Sequence, residues 1–193
     1  RLTWQVDQRN KIGLTYTQQD FCACHDNISA TIAPEAGYDR RFPTQRVVLL
    51  DWTAPVTSKV LIEVSGIHRV ERWGNMHHQT KGFSLDPQMF GVLVQGGSIP
   101  GLNYRGRVGT YNNSWNNNLH YRANLSYITG SHAFKVGMNN AHGYHHNTTY
   151  VQNPLSYRFL NGVPNQLTMR ALPHTQRNHV DQDLGLFAQD KWT

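Results

Sequence analysis

The 193-residue chain contains no run of about 18 apolar residues, so no helix in it is apolar for long enough to cross a bilayer. Hydrophobic residues make up only 38% and charged residues 16%, against 16 Gly and many Asn, Gln, Ser and Thr, a balance too polar for a helical membrane protein. The net charge is +6, but Lys and Arg are scattered, with no basic block and no nucleic-acid module signature, so no nucleic-acid partner is expected. No nucleophile elbow, P-loop, dinucleotide fingerprint or HExxH occurs. Asp and Glu are few and dispersed, so neither an enzyme nor a cofactor is expected. There is no initiating Met and no leader. The chain opens inside an apparent strand and stops just after Lys191-Trp192, and we expect a piece of a longer chain, for which a missing targeting signal carries no information.

What is present is alternation, clearest from Asn118 to Tyr144. Leu119, Tyr121, Ala123, Leu125 and Tyr127 take one set of positions, and His120, Arg122, Asn124 and Ser126 the other. Successive side chains of a strand point to opposite faces, so one face is apolar and the other wet. Thr129-Gly130-Ser131 turns the chain, and the return strand sets His132, Phe134, Val136 and Met138 against Ala133, Lys135, Gly137 and Asn139. Long strands with one apolar and one strongly polar face suit a wall between lipid and water.

The same rhythm runs along the chain. Strands are expected at Leu2–Val6, Lys11–Gln18, Arg46–Thr53, Lys59–Trp73 and about His179–Trp192, with short turns at 7–10, 54–58 and 129–131. Long polar loops are expected at 19–44, 74–116 and 145–178. Inside the last, Leu155–Leu160 and Gln166–Ala171 flank Asn161-Gly162-Val163-Pro164, a hairpin signal. Loops of this length are uncommon in compact soluble domains, whereas outer-membrane barrels carry short turns at one end and long loops at the other. The expected fold is therefore all-β: an antiparallel up-and-down meander, residues 1–193 forming one segment of a large transmembrane β-barrel with long extracellular loops and short periplasmic turns. The alternative is a soluble β-sandwich such as a carbohydrate-binding module, which alternates in the same way. Trp4, Trp52, Trp192 and Tyr127 fall near the short-turn ends, and Trp73 and Tyr144 near the outer ends, as interfacial girdles would.

The last strand, Leu184-Gly185-Leu186-Phe187-Ala188-Gln189-Asp190-Lys191-Trp192-Thr193, resembles a barrel strand common in TonB-dependent outer-membrane receptors. Tyr157-Arg158-Phe159-Leu160-Asn161-Gly162-Val163-Pro164-Asn165-Gln166 resembles an outer-loop hairpin of the Oar-like branch, which carries a carboxypeptidase-regulatory-like domain ahead of its plug. The resemblance implies a barrel of about 22 strands around a plug. Seven wall strands and the small hairpin would come from this chain, and the plug, the TonB-contacting segment and the closing C-terminal strand from elsewhere. It also implies a Gram-negative outer-membrane location, uptake of a nutrient that the sequence does not name, and contacts with outer-membrane lipid, lipopolysaccharide and, through parts beyond this chain, the TonB complex.

Candidate site residues fall into four groups. Glu63, Glu71 and Asp51 are placed to pair with Arg69, Arg72 and Arg46 on a lumen face. Cys22 and Cys24 lie in the first outer loop. One intervening residue is tight for a mutual disulfide, and oxidised or loop-stapling cysteines compete with metal binding. His142, His145 and His146, with His77 and His78, cluster at outer strand ends and are metal candidates, since neutral imidazole is a good ligand. Tyr104, Tyr111, Trp115 and Tyr150, set among Asn residues, are candidates for stacking on a sugar or peptide.

Overall fold

Leu125 stands directly opposite Ile62 on one neighbouring strand and Val136 on the other, and Tyr127 lies between Val60 and Phe134. This register extends the apolar stripe of one strand into a band across a whole sheet. The computed structural model describes residues 1–77 and 89–192. In chain order its strands are β1 (Leu2–Gln5), β2 (Lys11–Asp26), β3 (Tyr38–Pro55), β4 (Val60–Met76), β5 (Gly91–Gln95), β6 (Asn103–Arg105), β7 (Tyr111–Thr129), β8 (His132–Tyr150), β9 (Leu155–Leu160), β10 (Val163–Met169) and β11 (His174–Trp192), with one 3-10 turn at Pro34–Ala36. Seven of them form an antiparallel sheet in the order β1-β2-β3-β4-β7-β8-β11. The sheet does not close on itself. β5, β6, β9 and β10 form a separate small sheet in the order β10-β9-β5-β6.

The short turns are built as expected. Asp7 Oδ1 accepts the N–H groups of Arg9 and Asn10 at 2.7 and 2.8 Å. Thr57 Oγ1 accepts those of Lys59 and Val60 at 3.1 and 3.0 Å. Gly130 and Ser131 alone separate β7 from β8, with Gly130 at φ 54°. Asn161 and Gly162, at φ 48° and 83°, turn β9 into β10, the positive pair that a two-residue hairpin with matching twist requires.

The loops are shorter than expected, because the strands run on. β2 and β3 continue through most of 19–44 and leave only 27–37 as connection. β4 continues to Met76, and β7 already starts at Tyr111. β8 reaches Tyr150, and β11 starts at His174. Residues 74–116 also contain β5 and β6, which were not expected. β10 begins at Val163, three residues ahead of the expected Gln166. The physical reason is common to all of these. Beyond the bilayer both faces of a strand meet water or polar loops, so the apolar alternation that marks a strand in sequence disappears while the ladder hydrogen bonds persist.

The wall is one layer thick. Leu125, Val136 and Leu186 remain 43%, 45% and 75% exposed. A soluble sandwich would cover this face with a second sheet, and among the described residues none lies over it. The compact part is at the loop end, where Ala36, Asp39, Met76, Val92, Tyr111 and Ser114 are buried. There the small sheet is tied to the first connection: Ala33 N–H donates to Asn103 O at 2.9 Å, Asn103 N–H to Thr31 O at 2.7 Å, and Arg105 N–H to Glu35 Oε1 at 3.1 Å.

Candidate functional site

Two faces and one rim make up the functional surface. The outward face carries the band: Leu14, Leu50 and Val64, then Leu125, Val136 and Leu186 on the strands that follow. Two polar pairs intrude on it. Asn140 Nδ2 donates to the Tyr121 hydroxyl, and the His68 ring bonds Asn117 Oδ1 at 2.7 Å. At the short-turn edge the indole N–H of Trp52 donates to Asn10 Oδ1 at 3.0 Å, and that of Trp192 to Ser131 Oγ at 3.1 Å. Both rings thus present an apolar body outward and a polar tip to the turns, the arrangement an interface favours. Trp73 departs from the expected girdle. Its register opposite Ser114 sets it on the other face with Arg69 and Glu71.

The inward face is polar and packed close. Of the expected lumen pairs, Arg69 and Glu71 meet, and Asn116 Nδ2 donates to Glu71 Oε2 at 3.3 Å. Glu63 takes a different partner, Lys135 at 3.0 Å. Arg72 cannot join them, because strand parity puts it on the outward face, where its guanidinium lies 5.6 Å from the Trp115 ring centre. Asp51 instead lies across Gly13, where an added Cβ would come within 2.4 Å of its carboxylate. Asn124 lies in the same way over Gly137, and Arg122 Nε donates to Asn124 Oδ1 at 3.1 Å. Towards the loop end Phe21, Phe42 and Trp73 stack across β2, β3 and β4 at 4.3 and 6.5 Å between ring centres. Trp73, Asn116, Asn118, His145 and Asn178 border a hollow of about 340 Å³ there.

The remaining candidates do not converge. His145 is on the inward face, while His142 and His146, three residues before it and one after, have the opposite parity and are on the outward face. His142 meets the Tyr121 ring edge-on at 6.5 Å. His77 lies just past the end of β4, its Nδ1 3.3 Å from the Tyr150 hydroxyl. His78 lies outside the described residues. Tyr111 and Tyr150 stack on each other at 5.4 Å and are largely buried, and Tyr104 lies half-buried on β6. Burial pushes the Tyr111 phenol up to about 12, against the opposing pull of the Arg107 guanidinium over its ring. Trp115 faces outward and is 43% exposed. Cys22 and Cys24 form a disulfide with each other, on β2 and not in a loop. Asp39 lies close to the two sulfurs, but a disulfide offers no thiolate to a metal.

One group was not visible in the sequence. Arg72, Trp115, His146 and Arg177 form a straight row across β4, β7, β8 and β11 on the outward face. His146 is joined to His179 through their Nε2 atoms at 3.1 Å, and Tyr144 stacks on His146 at 4.6 Å. Partial loss of hydration holds the His146 imidazole below its ordinary value, and the positive neighbours His179, Arg177 and His145 push in the same direction.

A family model described as "Outer membrane beta barrel domain" matches residues 1–193. The crystal structure of the outer membrane transporter YddB from Escherichia coli superposes with a TM-score of 0.54 at 15% sequence identity, over 97% of this chain and 24% of that one, a likeness of fold. The chain therefore spans about a quarter of the length of that transporter, 24%. No curated protein matches the sequence.

Proposed function

The chain belongs to the outer membrane beta barrel domain family and is a protein of the Gram-negative outer membrane, and from that premise we propose that it is part of the wall of a TonB-dependent receptor of the Oar-like branch, taking up a bulky nutrient through a gated lumen. The observation that carries this reading is the contrast between the two faces of one sheet. The outward face is a continuous apolar band, and the inward face is lined by charged pairs and amides that end in stacked aromatics at the loop end. A wall that only sealed a membrane would have no use for Trp73 beside Asn116, Asn118 and His145. Flat rings beside amides are what bind sugars, peptides and chelates by stacking and hydrogen bonds. The TonB-dependent reading draws on the Leu184–Thr193 motif, whose residues to Trp192 lie on β11, and on the Tyr157–Gln166 hairpin at the loop end. In this reading the role is non-enzymatic. The plug and the TonB contact lie in segments beyond this chain, and lipid and lipopolysaccharide surround the barrel.

The test is transport by the full-length chain in its own outer membrane. Uptake of a limiting siderophore, oligosaccharide or peptide should fall to background when the receptor gene is deleted, and equally when TonB is deleted or the proton gradient is collapsed. Trp73→Ala should raise the half-saturation concentration severalfold with little change in receptor abundance. Receptor-dependent uptake that persists without TonB would remove the TonB-dependent reading.

A further inference from the structure

We propose that the outward face carries, just above the apolar band at the loop end, a site for the phosphate of an outer-leaflet glycolipid, formed by Arg72, Trp115, His146 and Arg177 with the hydroxyls of Thr148 and Thr175. The proposal rests on the outer-membrane placement and is independent of TonB coupling.

Trp115 lies twelve residues above Tyr127 on the uninterrupted strand β7. That is roughly 40 Å along the strand, or about 31 Å in height at the usual tilt near 40°, where the apolar band is about 25 Å tall. The row therefore stands a few ångströms beyond the hydrocarbon edge, where lipid phosphates lie, on a face continuous with the lipid contact below it.

A bulge between Val180 and Asp183 gives β11 one more residue than β8 at that point. Below it Leu184 and Leu186 point outward, and above it the outward positions become Thr175, Arg177 and His179. Without the bulge Arg177 would face the lumen. Bulges re-aim side chains in this way, and this one turns a cation towards the headgroups.

A hollow of about 440 Å³ is bordered by Trp115, Tyr144, His146, Thr148, Thr175 and Arg177, and no Asp or Glu is among the residues that line it. Thr148 and Thr175 hydroxyls lie 2.9 Å apart at its upper side. The Arg177 guanidinium fork at this hollow, with the His146 imidazole beside it and the two hydroxyls above it, can meet an oxyanion, and Arg72 at the far end of the row adds a second positive charge. A phosphate would bring a counter-charge to Arg72 and Arg177, which stand in the same row as His146.

The experiment uses the full-length chain in nanodiscs, with diphosphorylated lipid A, its dephosphorylated form and inorganic phosphate as probes. The wild type should bind diphosphorylated lipid A at least tenfold more tightly than the dephosphorylated form. The Arg72→Gln/Arg177→Gln double variant should lose that preference. His146→Gln should weaken it about threefold, a milder change that keeps the test open if the double variant folds poorly. Heat-modifiable gel mobility reports folding in each case. Equal binding of the two lipids by the wild type, or an unchanged preference in a folded double variant, overturns the proposal. Inorganic phosphate competing as well as the lipid at equal concentration overturns the lipid assignment. Failure of the wild type to enter nanodiscs overturns it too, but through the membrane placement and not through this site.

Discussion

Val64→Arg separates a wall facing lipid from a sheet facing water. Val64 lies on β4, flanked in register by Trp52 and Ala123, and is 39% exposed. On a soluble sheet, a substitution at so exposed a position costs within about 0.5 kcal/mol. In the wall, Val64 is four residues from the start of β4 at Val60. That is roughly 14 Å along the strand and about 10 Å in depth, close to the midplane of a band about 25 Å tall. Arg at the midplane of a barrel costs about 2–4 kcal/mol, a factor of roughly 30 to 1,000 in the folding equilibrium. Two controls come from the same strand. Val60→Arg, at the interface, should cost no more than about 1 kcal/mol, and Ser65→Arg, one residue away on the lumen face, should be similarly mild. The assay is reversible folding of the full-length chain into lipid vesicles, titrated with denaturant and read by heat-modifiable mobility and tryptophan fluorescence. Equal costs for Val64→Arg and Ser65→Arg would refute the assignment of faces. Equal costs for Val64→Arg and Val60→Arg would refute the depth argument.

Two further outcomes follow from the inward face and the loop end. Gly137→Val should destabilise by about 1–3 kcal/mol in the same vesicle assay, because an added Cβ meets Asn124 Oδ1 at 2.5 Å, Phe187 Cζ at 2.6 Å and the backbone oxygen of Ala123 at 2.7 Å, and the backbone cannot yield; a neutral result would mean that this part of the lumen wall is loosely packed. The Tyr111 phenol, raised to about 12, should stay neutral in the folded protein well above pH 10. Its folded pKa lies above its unfolded value, so its contribution is complete below pH 10 and is lost as pH rises towards 12, by about 3 kcal/mol in total. Phenolate absorbance of the wild type minus that of Tyr111→Phe should be near zero at pH 10.5, and a full phenolate signal there would show that the ring is not buried.

The membrane-embedded part of the fold was legible in the residue order because lipid on one side and water on the other impose a period of two. Leu119 to Tyr127 and Phe134 to Met138 could be assigned to faces without coordinates, and Asn161-Gly162 specified its own turn through the positive φ that both residues tolerate. Local chemistry was sufficient wherever the signal was local. Tertiary pairing alone decided how far the strands continue once both faces are polar, as in Asn112 to Asn118, where no periodicity remains to be read. It decided that β5 and β6 join β9 and β10, because a parallel pairing such as β5 with β9 links residues some 65 positions apart and leaves no pattern in either stretch. It also decided the company of each charge. Glu63 went to Lys135, and one extra residue in β11 reversed the facing of Arg177, since a bulge changes parity at a point that composition does not mark; Arg72, by contrast, faces outward as its even spacing from Val64 and Val70 on unbroken β4 already required.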